Sequence, residues 1–134
     1  MSDEARGEPA STGDDFVRLI GLRVTDRSDS EVRYELDVQP QLMNPYGTLH
    51  GGIVYSLADT SMGGALSPAL APNERSATIE VKINYLAPVR EGTVHCVTRI
   101  IQRGKRIAVL ESDVYNGDRM VAKALGSFAI FEVG

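Results

Sequence analysis

Between Asp37 and Glu74 the chain carries one formally charged residue, Asp59. This interval opens as a loop through Pro40, Asn44, Pro45 and Gly47. From near Gly51 a helical run passes through Ile53, Val54, Leu57, Ala58, Met62 and Ala65, and Pro68 and Pro72 end it. Apolar or small residues occur nearly all round that run, the pattern of a helix buried on most sides. Asp59 lies inside it. Its charge must be hydrated, paired or functional, because burying a lone carboxylate costs several kcal/mol.

Around this helix the pattern has period two. Val32, Tyr34, Leu36 and Val38 alternate with Arg33, Glu35, Asp37 and Gln39, which predicts a half-buried strand from Glu31. Beyond Glu74, Ala77, Ile79, Val81, Ile83 and Tyr85 alternate with Thr78, Glu80, Lys82 and Asn84. A turn over Pro88 to Gly92 leads to a strand from Thr93 to Arg103, and Gly104 allows a tight reversal into Lys105 to Tyr115. Asn116-Gly117 signals a hairpin, and a last strand runs from Arg119 to Val133. Short turns force antiparallel neighbours, so the class is α+β, a sheet curled around one long helix. One small sheet leaves edge strands that commonly pair with a second copy.

The remaining chain sets limits. Residues 1–14 are polar and without apolar period, expected as a disordered tail before one domain at 15–134. Phe16, Val17, Leu19 and Ile20 suggest a short helix stopped at Gly21. Counts of 14 Lys plus Arg and 18 Asp plus Glu give a net charge of −4, which argues against a nucleic-acid partner. One cysteine, Cys96, excludes an internal disulfide framework, and with only His50 and His95 a histidine-rich metal site is not expected. No apolar run approaches the roughly 20 residues of a membrane span, so the expected location is the cytoplasm. Cys96 is read as a buried small hydrophobe and His95 as structural or surface.

Chemistry concentrates in Asn44-Pro45-Tyr46-Gly47-Thr48-Leu49-His50-Gly51-Gly52 and Leu57-Ala58-Asp59. Gly51 and Gly52 sit where the helix begins, with backbone N–H groups that lack intrahelical partners; they leave room for a carbonyl or oxyanion, or simply permit a sharp turn. His50 is open between orienting a substrate and a structural hydrogen bond, and Asn44 between holding a water or carbonyl and shaping the turn. Asp59 is open between a local amide partner and a catalytic role.

The run Asn44 … His50-Gly51-Gly52 … Leu57-Ala58-Asp59, followed by Thr78-Ile79-Glu80 … Asn84-Tyr85-Leu86-Ala87-Pro88, resembles the hotdog-fold acyl-CoA thioesterases. The branch it resembles is the phenylacetic-acid-degradation thioesterases, related to the 4-hydroxybenzoyl-CoA thioesterases. The resemblance in element order extends from Asp15 to Val133. It implies a hotdog fold in which Asp59 is the helix carboxylate, acting as nucleophile or as base for water. Gly51 would be the amide that polarises the thioester carbonyl, Asn44 and His50 a polar pair ordering substrate and water, and Thr78 a hydroxyl near the acid. It implies a dimer with sites at the interface and a dimer of dimers. One departure is Gly63, where some relatives carry Thr. A second is Thr78, whose parity with Glu80 and Lys82 puts it on the polar face, within reach of a site only if a partner covers that face.

Thioester hydrolysis expels a thiolate whose acid has a pKa of roughly 8.5, so no strong general acid is required. The expected substrate is a medium-sized or aromatic acyl-CoA, and the CoA belongs to the substrate, so no cofactor and no metal are expected. The basic tip Arg103-Gly104-Lys105-Arg106, with Arg90 on another connection, is the candidate clamp for the CoA phosphates or a solvated turn. Tyr46, Leu49, Met62 and Leu66 are candidates to line the acyl pocket. Two alternatives remain: a hotdog dehydratase or hydratase of 3-hydroxyacyl thioesters, which typically shows His-Phe-Pro where this chain has His50-Gly51-Gly52, and a non-catalytic acyl-CoA-binding module.

Overall fold

Alternation and turn chemistry are realised as two helices and six strands in the computed structural model, which describes residues 14–134. In chain order these are α1 (Asp14–Ile20), β1 (Arg23–Arg27), β2 (Glu31–Asp37), α2 (Gly51–Leu66), β3 (Glu74–Tyr85), β4 (Thr93–Arg103), β5 (Ile107–Asn116) and β6 (Arg119–Glu132). The expected tail at 1–14 lies outside the described residues, apart from Asp14, which opens α1. Gly21, at φ +80°, closes α1: its N–H reaches the Arg18 carbonyl and that of Leu22 the Val17 carbonyl, as in a Schellman stop.

All strand pairs are antiparallel, in the order β1-β2-β4-β5-β6-β3, and α2 lies against one face of this sheet. This is the α+β hotdog arrangement. Leu57, Met62 and Leu66 of α2 are fully buried against Leu36, Val94, Leu110 and Val114. Each such side chain contributes roughly 1.5–3 kcal/mol. The helix settles closely because β6 is cut away beneath it. A Cβ at Gly126 would lie 2.5 Å from the Met62 sulfur.

Four expectations are corrected. First, α2 is not buried on most sides. Val54, Leu57, Ala58, Ser61, Met62 and Leu66 face the sheet, while Ile53, Ser56, Asp59, Thr60 and Gly63 are only half-buried, because a single layer covers a single face. Second, β1 exists, although only Val24 in Arg23–Arg27 is a large hydrophobe and all five residues are exposed; pairing with β2 holds it, not burial. Third, the β5–β6 turn is Gly117-Asp118, one residue beyond the expected pair, with Gly117 at φ +64°. Fourth, β3 does not alternate evenly. Thr78 pairs with Phe128 and Glu80 with Ser127, so Ile79 is an extra residue in a β-bulge and side-chain parity switches across it.

At the other reversal the Gly104 N–H donates to the Ile107 carbonyl, and a Cβ there would sit 2.7 Å from that oxygen. Cys96 is buried, as expected. His95 is half-buried and stacks on Tyr115 at 5.1 Å between ring centroids.

Candidate active site

The β3 bulge decides where Thr78 points. Ahead of it, Thr78 shares the inward parity of its partner Phe128, and its hydroxyl donates to Asp59 Oδ1 at 2.8 Å. The expectation that Thr78 lies on the outer polar face is therefore corrected. The contact is made within one chain. Asp59 is half-buried on the flank of α2 toward β3, so its carboxylate is held on one side and open on the other.

The N-terminus of α2 is arranged around one free donor. His50 is the N-cap, and its Nδ1 accepts from the Gly52 N–H at 2.8 Å. The Ile53 and Val54 N–H groups reach the His50 carbonyl. Among the described residues no acceptor lies on the Gly51 N–H. Capping thus leaves Gly51 as the first-turn amide without a partner, at the positive end of the helix dipole. Because Nδ1 of His50 needs a lone pair for this bond, Nε2 carries the proton and remains available as a donor. Tyr85 holds the next peptide, its hydroxyl donating to the Gly51 carbonyl at 2.7 Å. Burial, with the nearby Tyr55 adding to it, pushes the Tyr85 hydroxyl up and keeps it a donor. In the sequence Tyr85 belongs to an apolar alternation and to the stretch that carries the family resemblance, neither of which assigns it this bond.

Asn44 is used by its own loop. Its Oδ1 accepts from the Tyr46 and Thr48 N–H groups, at 2.9 and 3.2 Å, and its Nδ2 donates to the Thr48 hydroxyl at 2.7 Å. These bonds make it the turn residue of the 44–48 loop that delivers His50.

An apolar cleft of about 290 Å³ opens beside Gly51, lined by Leu49, Val54, Tyr85, Leu86, Val89 and Val121 among others. Of the expected acyl-pocket residues, Leu49 lies in it, whereas Met62 and Leu66 are fully buried between α2 and the sheet and Tyr46 is 90% exposed on the loop.

The basic candidates separate. Arg103 pairs with Glu74 and donates to the Ala69, Gly104 and Lys105 carbonyls, so it is a structural tie rather than a free cation. The Ala71 N–H and Arg103 hold the Glu74 carboxyl below its usual range. Lys105 and Arg106 are exposed at the tip that Gly104 turns, and Arg90 is exposed beside Val89, whose carbonyl accepts from Leu49 at 2.7 Å. Arg90 and the tip flank opposite ends of β4, about 30 Å apart at 3.3 Å per residue. One chain cannot bring both to one set of phosphates.

Within one chain Asp59 and the Gly51 amide are also apart. Asp59 follows Gly51 by eight positions on α2, about 12 Å along the axis at 1.5 Å per residue. A carbonyl carbon lies far closer than that to its own oxygen. Asp59 and the Gly51 N–H of the same chain cannot act on one thioester.

Comparison with known proteins agrees with the fold. The thioesterase superfamily family model matches residues 46–123. A solved structure of a conserved protein from Pseudomonas aeruginosa is 38% identical, covers 87% of this chain and 94% of that one, and superposes with a TM-score of 0.83. The 1,4-dihydroxy-2-naphthoyl-CoA hydrolase of Listeria monocytogenes is 27% identical over 69% of this chain and 75% of its own. Acyl-coenzyme A thioesterase 13 of Pongo abelii is 28% identical over 75% and 73%. No helix among the described residues is long and apolar enough to cross a membrane. The family match spans more than half of the chain, Gly51 and Asp59 included, and with the relatives named for thioester hydrolysis it leads to one assignment: this chain belongs to the thioesterase superfamily and is a thioester hydrolase on the hotdog fold.

Proposed function

We propose that the protein hydrolyses the thioester of a medium-sized or aromatic acyl-CoA to the free acid and CoA, in a site shared by two copies of the chain. The observation that carries this reading is the separation of Asp59 from Gly51, about 12 Å on one helix. Both can meet a single carbonyl only if one copy supplies the carboxylate and a second supplies the amide. The open edge of β3 and the half-buried flank of α2 support such pairing, since each is an unfinished surface in one chain. Two such dimers forming a tetramer complete the assembly.

In this reading the substrate carbonyl oxygen accepts from the Gly51 N–H, which polarises it for attack. Asp59, steadied by Thr78, attacks the carbonyl carbon directly or removes a proton from the attacking water. The C–S bond then breaks and CoA leaves as a thiolate, a tolerable leaving group because thiol pKa values are roughly 8.5; where Asp59 itself attacks, water then cleaves the acyl–Asp59 anhydride, which releases the acid and restores the carboxylate. His50 Nε2–H is a donor for the substrate or the water. Arg90, Lys105 and Arg106 are the candidates for the CoA phosphates, from different subunits. CoA is part of the substrate, so no further cofactor is invoked. The names of the Listeria and Pongo relatives support a CoA thioester, and the former an aromatic acyl group. A buried, unpaired Cys96 fits a reducing compartment such as the cytoplasm.

A thiol-release assay over acyl-CoAs from acetyl through aryl-acetyl to long-chain tests this. Turnover should peak with medium or aromatic acyl groups. No free thiol from any of them, or loss of conjugated absorbance from an enoyl-CoA without thiol release, would contradict it.

A further inference from the structure

Under the middle of α2 lies a row of polar side chains that the site described above does not use. Thr98 of β4 and Ser112 of β5 face each other directly across the sheet, and both are fully buried. Ser112 Oγ donates to the Ala58 carbonyl at 3.2 Å. Its one proton is thereby spent, so in the 2.6 Å contact with Thr98 it is the acceptor and Thr98 the donor. Thr98 in turn has no proton left for Cys96, 3.4 Å away, so the thiol donates. The bonds all run one way, from Cys96 S–H to Thr98 O–H to Ser112 O–H to the Ala58 carbonyl. Burial pushes the Cys96 thiol up and keeps it in the donor form the chain needs.

Two features separate this chain from ordinary core polarity. Apolar residues would fill the same inner face at no desolvation cost, as Val32 and Ala124 do in the same cross-strand row. And the Ala58 carbonyl does not need the bond, since a regular helix already gives it the Met62 N–H. A second donor satisfies no orphan group; it fixes a position. The peptide so fixed is the one whose nitrogen belongs to Asp59. The side chain of that residue is held from β3 by Thr78, at 2.8 Å. Other sheet-to-helix bonds, from Arg27 to the Gly64 carbonyl and from Tyr85 to the Gly51 carbonyl, are exposed at the two ends.

We propose that Ser112 and Thr98 are positioning residues for Asp59, setting the seat of α2 on the sheet at the peptide that carries the reacting carboxylate. This rests on reading Asp59 as that carboxylate. Thr98→Val/Ser112→Ala removes both hydroxyls together and leaves only the Cys96 S–H, a weak donor, without its partner, so the melting temperature should stay near that of the parent. With the best acyl-CoA found, kcat should fall about tenfold to a hundredfold at little-changed KM, the cost of a small misplacement. Thr98→Ser, which keeps the relay, should restore parental kcat. Amide hydrogen exchange over the Asp59–Gly63 turn should accelerate in the double variant while the ends of α2 do not change. Parental kcat or parental exchange in that turn would overturn the proposal. If the double variant fails to fold, Ser112→Cys, nearly isosteric with a weaker donor, should show the same exchange change on a smaller scale, and parental exchange there would overturn it equally. Parental protein that releases no thiol would refute the hydrolase reading instead, because the exchange experiment does not depend on turnover.

Discussion

Gly51→Pro takes the amide hydrogen from the site and puts the ring's Cδ in its place, so a carbonyl can no longer be held there. Gly51 is the first residue of α2, where a proline nitrogen without hydrogen is tolerated because that N–H has no helical partner. The residue before a proline must be extended, and His50 already is, at φ −59° and ψ 133°. A Cβ at position 51 has its closest neighbour 3.4 Å away, on the Tyr85 ring, an ordinary contact. The fold, the His50 cap on Gly52 and the Thr78–Asp59 bond should therefore survive, with a thermal midpoint close to the parent. Loss of one oxyanion donor typically lowers kcat by about a hundredfold to a thousandfold, or about 3–4 kcal/mol of barrier. Steady-state thiol release with purified, folded variant should show that fall in kcat. A folded variant with parental kcat would refute the assignment of the carbonyl to this amide.

Other expectations follow from separate parts of the structure. Asp59→Asn should cost about two orders of magnitude or more in turnover with the fold retained, and Thr78→Val about tenfold, since its hydroxyl bonds a charged group; both are read by thiol release beside circular dichroism. Gly64→Ala should destabilise in urea titration by about 1–3 kcal/mol through overpacking, because the new Cβ would lie 2.0 Å from the hydroxyl oxygen of the buried Tyr34. An ordinary helix interior would instead gain about 1 kcal/mol from the same change. His95 is lowered from its ordinary 6.5 by burial and then by Arg33, with Glu35 and Asp118 opposing. As pH falls below about 6.5 the unfolded chain takes up this proton before the folded one, so stability falls until the folded value is passed. His95→Gln should flatten that part of the urea-midpoint profile.

What could be read from the residues followed from contrast. Asp59 is conspicuous because nothing else from Val38 to Asn73 is charged, and α2 because its apolar run is bounded by glycines and prolines. The face of Thr78 could not be read, because Ala77, Ile79 and Val81 make an apolar alternation that hides the extra residue at Ile79. β1 is held by a ladder and has no buried face to leave a pattern. Arg103 carries a ligand-like group whose partners, the Ala69 carbonyl and the Glu74 carboxylate, are brought near only by folding, whereas Asn44 bonds within its own loop, the turn-shaping role its place beside Pro45 already offered. Ser112 was visible as a polar residue among Ala108, Leu110 and Val114, but its acceptor belongs to a helix 54 positions earlier.

Sharing of one site between two copies is tested most directly by complementation. Gly51→Pro and Asp59→Asn chains, differently tagged, are co-expressed and the mixed dimer is purified. Each mixed dimer holds one site with both groups intact and one with neither, so thiol release should recover to about half of the parental rate per dimer. A mixed dimer no more active than the two parent variants would show that Asp59 and Gly51 do not meet across the interface.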